Sequence, residues 1–246
     1  MTKLEATPPP GFGPLSLLDR KRHAGHGVKA GAARFAARLH AVFLTLPEFI
    51  AASRSCPVAF TQAGSEWQPA MIVGLADGQN LCVDAQGDWR PDYYLPAYVR
   101  RYPFCTAVTT RQDGERVVCV DEEGLAAGPP FLFDARGEET PTWRELDKLI
   151  KDMEIASRQT SLFCQRVSEL GLLEPFDATL SPVAGASRRL TGLWRVEESR
   201  LNALPADVIV ELMRSGFLSR LYAHLMSLDN FQRLLGLQVQ AARAGA

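Results

Sequence analysis

Hydrophobic positions fall in short β-prone runs through the first part of the chain and at helical spacing from Thr140 onward. Val42-Phe43-Leu44 and Pro57-Val58-Ala59-Phe60 read as strands flanking a helix start at Thr45-Leu46-Pro47-Glu48, where a hydroxyl precedes proline. Ala30 to Leu39 is alanine-rich and reads as helix. Ala70 to Leu75 reads as a strand that turns at Asp77-Gly78 into a returning strand, Asn80 to Val83. Three DxxG units follow strand-like runs, at Asp84–Gly87, Asp121–Gly124 and Asp134–Gly137, and Asp in first with Gly in fourth position suits a type I turn. They lack the alternating oxygen ligands a calcium loop needs.

The second half changes period. Thr142 and Glu145 form a TxxE capping signature, and one helix is expected from Trp143 to Leu170, stopped by Gly171. Within it Leu146, Leu149, Met153, Ala156, Thr160, Phe163, Val167 and Leu170 recur in steps of three and four, as in a coiled-coil seam. The helix either forms a homodimer or packs against its own chain, and mixed flanking charges favour the latter. A loop through Pro175, Pro182 and Gly185 then leads to a strand at Leu190 to Val196. Leu204-Pro205 opens a helical end, with Gly216 between two helices, and Phe217, Leu218, Leu221, Leu225 and Leu228 have core spacing. The fold expected is α+β, an antiparallel β-meander-rich N-terminal half packed with a helix-rich C-terminal half. Residues 1–27, rich in proline and glycine, read as a draped arm; residues 28–246 read as a single domain, sheet-rich over 40–139 and helix-rich over 140–246.

Composition removes several classes. The 27 basic and 28 acidic residues leave a net charge of −1, so the molecule as a whole has no electrostatic reason to bind nucleic acid or anionic lipid. The most apolar stretch, Ala30 to Ala52, is broken by Arg34, Arg38, His40, Pro47 and Glu48, so no membrane span is expected. The start of the chain lacks the basic and apolar runs of a secretory signal, so a cytoplasmic location is expected. Cys56, Cys82, Cys105, Cys119 and Cys164 are scattered without a CxxC pair and read as buried thiols; Cys82 and Cys119, each preceding Val-Asp, read as occupants of neighbouring strands. His23 and His26 lack acidic or cysteine partners nearby in sequence, so no metal or cofactor is expected. There is no GxSxG elbow, P-loop or HExxH.

The densest chemistry lies between Asp88 and Phe104. Trp89, Tyr93, Tyr94, Tyr98 and Tyr102 supply flat faces with polar tips, and Arg100 and Arg101 supply forks for a carboxylate or phosphate. As a structural segment, the same residues would cover the sheet while the arginines pair with Asp84, Asp88 or Asp92. Arg100 and Arg101 are adjacent and would face opposite ways on a strand.

The ordered set PEFIAAS, CPVAF, AMIVGL, GQNLCVDAQGDW, YLPAYVRRYPF, VVCVDEEG, PFLFDARGEET, ELGLLEPF and LTGLWRVEESRLNALP resembles the bacterial SapC-like family from Leu17 to Leu235. The resemblance implies an association with bacterial surface layers and with genes for flavin-dependent halogenase-like, cupin-like and outer-membrane receptor proteins; it brings no catalytic residue. A peptide-transport permease shares the name, and the missing spanning helix argues against that role. Two functions are therefore expected to compete. The favoured one is a non-enzymatic accessory protein binding a protein or peptide partner through Trp89, Tyr93, Tyr94, Tyr98, Arg100, Arg101 and Tyr102. The alternative is a small-ligand protein or enzyme beside oxidative enzymes, with Tyr and Asp as acid and base.

Overall fold

The computed structural model describes residues 7–108, 116–180 and 188–244. In chain order the strands are β1 (Leu15–Leu17), β2 (His26–Val28), β3 (Ala41–Phe43), β4 (Val58–Ala63), β5 (Glu66–Ile72), β6 (Phe104–Val108), β7 (Arg116–Asp121), β8 (Leu125–Ala127), β9 (Leu173–Leu180) and β10 (Arg188–Val196). The helices are α1 (Phe49–Ala52), α2 (Ala97–Arg100), α3 (Pro141–Glu169), α4 (Glu198–Asn202), α5 (Ala206–Arg214), α6 (Phe217–Ser227) and α7 (Asn230–Ala244). Ala32–Arg38, Leu46–Glu48 and Glu122–Gly124 are 3-10 turns. The fold is α+β.

Strands pair antiparallel in three sheets, ordered β3-β5-β4-β10-β9, β1-β7-β6 and β2-β8. The order first-third-second thus recurs in β3-β5-β4 and β1-β7-β6. In each, a hairpin adds its second strand to an earlier strand. Two members of the large sheet, β9 and β10, come from the helix-rich half. The stretch through Pro175 was expected to be loop, but it forms β9, an edge strand, where a missing N–H costs no ladder bond.

The expected hairpin at Asp77-Gly78 also needs correction. Gly78 does turn, with φ 71°, but Asn80 to Val83 does not return as a strand. Asn80 intercepts that pairing: its Nδ2 donates to Ala36 O at 2.9 Å and its Oδ1 accepts from Cys82 N at 2.9 Å. The hairpin instead joins β4 and β5 around Gly64, whose φ of 63° suits the turn. Two DxxG units are one tight turn used twice. Asp84 Oδ1 accepts from Gln86 N and Asp88 N, as Asp134 Oδ1 accepts from Arg136 N and Glu138 N, while Gly87 and Gly137 close the turns at φ 90° and 80°. At Asp121–Gly124 a 3-10 turn forms in their place.

Helix α3 is capped by Thr140 rather than Thr142. The Thr140 hydroxyl accepts from Trp143 N, and Pro141 occupies the first turn, where its fixed φ is already helical. Its seam is used inside the chain: Met153, Ala156, Thr160, Phe163 and Val167 are buried. Phe163 meets Phe49 and Phe217 edge to face, with centroids 5.5 and 5.1 Å apart. The small Ala156 and Thr160, which weaken a coiled-coil seam, let the Leu46 turn approach, and Thr160 Oγ1 accepts from Leu46 N at 2.8 Å. The main core lies between this helix and the large sheet, around Phe49, Phe60, Met71 and Ile72; a smaller one surrounds Phe104, Phe133, Trp143 and Ile150. Each such side chain contributes about 1.5–3 kcal/mol by leaving water. No helix among the described residues is long and apolar enough to cross a membrane.

Candidate binding cleft

Residues 88–104 run from a tight turn through α2 into β6, and two buried carboxylates hold the segment down. Glu48 is the first. Its Oε2 accepts from Thr45 N and Thr45 Oγ1, closing a capping box, while its Oε1 accepts from Ala97 N at 2.7 Å and the Tyr94 hydroxyl at 3.1 Å. Asp121 is the second, with Oδ2 accepting from Gly13 N at 2.7 Å and the Tyr102 hydroxyl at 3.2 Å. The expected acids Asp84, Asp88 and Asp92 are not the ones that matter here; Asp84 is spent on its own turn.

The aromatic residues are mostly structural in placement. Tyr93, Tyr98 and Tyr102 are buried, and Trp89 and Tyr94 are half-buried. Trp89 Nε1 donates to Tyr93 O and Tyr94 O, Tyr98 donates to Pro10 O at 2.7 Å, and Tyr102 stacks on Phe35 at 4.1 Å. Burial pushes the Tyr94 and Tyr98 phenols up to about 12, and burial with the neighbouring Asp121 raises Tyr102 as well. None of these phenols is poised to exchange protons near neutrality, and the Tyr102–Asp121 pair is committed to backbone and ring packing.

The two arginines part company, as their adjacency requires, although on a helix end and not a strand. Arg100 is exposed and borders a groove with Val28, Leu146 and Leu149. Arg101 turns inward, its guanidinium 4.8 Å from the Tyr98 ring centroid and 5.7 Å from that of Phe12. Its buried Nε has no hydrogen-bond acceptor among the described residues, and burial lowers its pKa from the ordinary arginine value.

Arg101 borders a cleft of about 510 Å³. Leu39, Phe43, Pro69, Ile150 and Met153 form apolar walls, and Ser157 and Ser161 stand one helical turn apart on α3. Among the described residues its charged lining is Arg101, Arg116, Arg158, Glu66 and Glu154, an excess of one positive charge. Arg116 Nη1 lies 2.7 Å from Glu154 Oε1, an ion contact not aligned as a hydrogen bond. Sequence reading reached Tyr98 and Arg101 but missed Arg116, Glu154 and Arg158. No local motif joins them; they meet because α3 crosses both sheets.

Other expected chemistry resolves into structure. Cys82 lies beside Cys56, with sulfurs 3.8 Å apart, and Cys119 faces Cys105 across β6 and β7, so Cys82 and Cys119 are not neighbours as expected. All five cysteines are buried and free. His23 Nε2 contacts Glu122 Oε1 at 3.2 Å, while His26 contacts Ala24 O. No group of three or more His, Cys, Asp or Glu is placed to hold a metal among the described residues. His224 is sealed, its Nε2 accepting from Val196 N at 3.0 Å and its Nδ1 donating to Val58 O at 2.7 Å, and burial lowers it to about 4.

The SapC family model matches residues 18–234, most of the chain. The chain belongs to the SapC family. No curated protein and no solved structure matches it. For this SapC family member the cleft and its unpaired arginine therefore stand on their own geometry.

Proposed function

We propose that this SapC family protein is a non-enzymatic accessory protein that engages a protein or peptide partner, with the 88–104 segment contributing to contact through Arg101 and Tyr98. The observation that carries the reading is Arg101: a half-buried arginine, bordering an open cleft, whose buried Nε has no hydrogen-bond partner among the described residues. Keeping a charge there costs folding free energy unless something compensates it. The tyrosines hold the segment in shape, and their hydroxyls are occupied. Photo-crosslinking tests the proposal. With p-benzoylphenylalanine at Ser157, inside the cleft, cells should yield a discrete partner adduct that Arg101→Gln removes; the same probe at exposed Ser219 should not. Identical adducts from both positions would discard the cleft as the place of contact.

A further inference from the structure

The cleft lies between two sheet edges. Strand β3 ends the five-stranded sheet, and β6 ends the three-stranded one. Val73 N donates to His40 O at 2.9 Å and Leu44 N to Pro69 O at 3.0 Å, so the even-numbered residues of this strand face β5. Antiparallel alternation then turns the N–H and C=O of Ala41 and Phe43 to the outer edge, and both residues line the cleft. On the other side Asp121 N donates to Pro103 O, which by the same alternation turns the backbone of Thr106 outward, and Thr106 also lines the cleft. Such edges are templates for an added strand.

Charge selects the occupant. Arg116 and Glu154 offset each other, while Arg158 and Glu66 are exposed at the rim, where solvent screens them. Arg101 remains the inward cation: Tyr98 and Glu154 favour its charge, but no carboxylate among the described residues lies in ion-pair contact with it. One carboxylate would match it, whereas a phosphate dianion would bring surplus negative charge beside Glu154. We infer that the cleft takes an extended peptide with a free C-terminal carboxylate, its backbone added to the outer edge of β3 and its terminal charge set against Arg101. This inference rests on the partner-binding reading above and names the partner's chemistry.

The test uses the immobilised full chain and a mixture of acetylated random pentapeptides, prepared once as free acids and once as C-terminal amides. Mass spectrometry of the retained fraction should show acids favoured about tenfold, the ratio expected for loss of one good charged contact. Arg101→Gln should level acids and amides, and Arg101→Lys, which keeps charge but loses the planar fork, should give an intermediate ratio. Free acids N-methylated at alternate residues should be retained about tenfold less, because they cannot complete the ladder. Near-ultraviolet circular dichroism of each variant confirms that it is folded. Equal retention of acids and amides, abolished by the cleft-filling Ser157→Trp, would overturn the carboxylate while leaving partner binding intact. Retention untouched by N-methylation would overturn the edge pairing. No retention above bare resin in either mixture would overturn both this inference and the reading beneath it.

Discussion

Tyr94, Tyr98 and Tyr102 belong to the same short segment as Arg101, yet their polar groups meet opposite treatment. Each phenol finds an acceptor, at Glu48, Pro10 O or Asp121, and is thereby fixed as architecture. Arg101 is packed between aromatic rings with its Nε unanswered. The difference teaches where to look for function: a buried polar group with its partners complete reports on stability, and a buried charge left incomplete marks a place where an outside group can improve the balance.

That comparison can be broken most forcefully at Glu48. Glu48→Ala would leave the N–H groups of Thr45 and Ala97 and the hydroxyls of Thr45 and Tyr94 without their acceptor, so a loss of about 3–5 kcal/mol is expected in urea unfolding. A loss below about 1 kcal/mol would show that the segment does not depend on this carboxylate.

His224 sharpens the same point through pH. Its folded pKa of about 4 lies below the ordinary 6.5, so between these values the unfolded chain binds a proton that the folded protein refuses. The stability from keeping His224 neutral is therefore full above 6.5 and lost as pH falls toward 4, by about 3 kcal/mol. Comparing unfolding midpoints of wild type and His224→Gln across this window isolates that component; parallel curves would refute it.

Arg101→Met should do the reverse of Glu48→Ala. Removing an incompletely paired, half-buried charge while keeping an apolar stem should change stability by no more than about 1 kcal/mol, with a rise as the expected direction. A fall of about 3 kcal/mol in urea unfolding would make Arg101 structural and erase the contrast. Arg100→Gln should have the smallest effect, within about 0.5 kcal/mol, because this neighbour is exposed; thermal unfolding checks it.

Much of the architecture could be read along the chain. The start of α1 after Thr45-Leu46-Pro47-Glu48, the long α3 and the break between α5 and α6 at Gly216 all carry local signals. The failures have local causes too. Pro175 argued against a strand, but an edge position removed the penalty, and Asn80 diverted a stretch whose hydrophobicity suited a return strand. Cys82 and Cys119 share a local sequence pattern but not a location, because pattern carries no information about which strands become neighbours.

By itself the sequence determined the α+β character, the position of most elements and the concentration of tyrosine and arginine in one segment, since periodicity, caps and turn residues act over a few positions. Only the tertiary structure decided that Glu48 and Asp121 would satisfy the tyrosine-bearing segment, that α3 would carry Glu154 and Arg158 to the cleft beside Arg101, and that β3 and β6 would be sheet edges. These outcomes depend on which distant groups share a low-dielectric interior, and a buried polar group's partner is selected there by geometry across the fold.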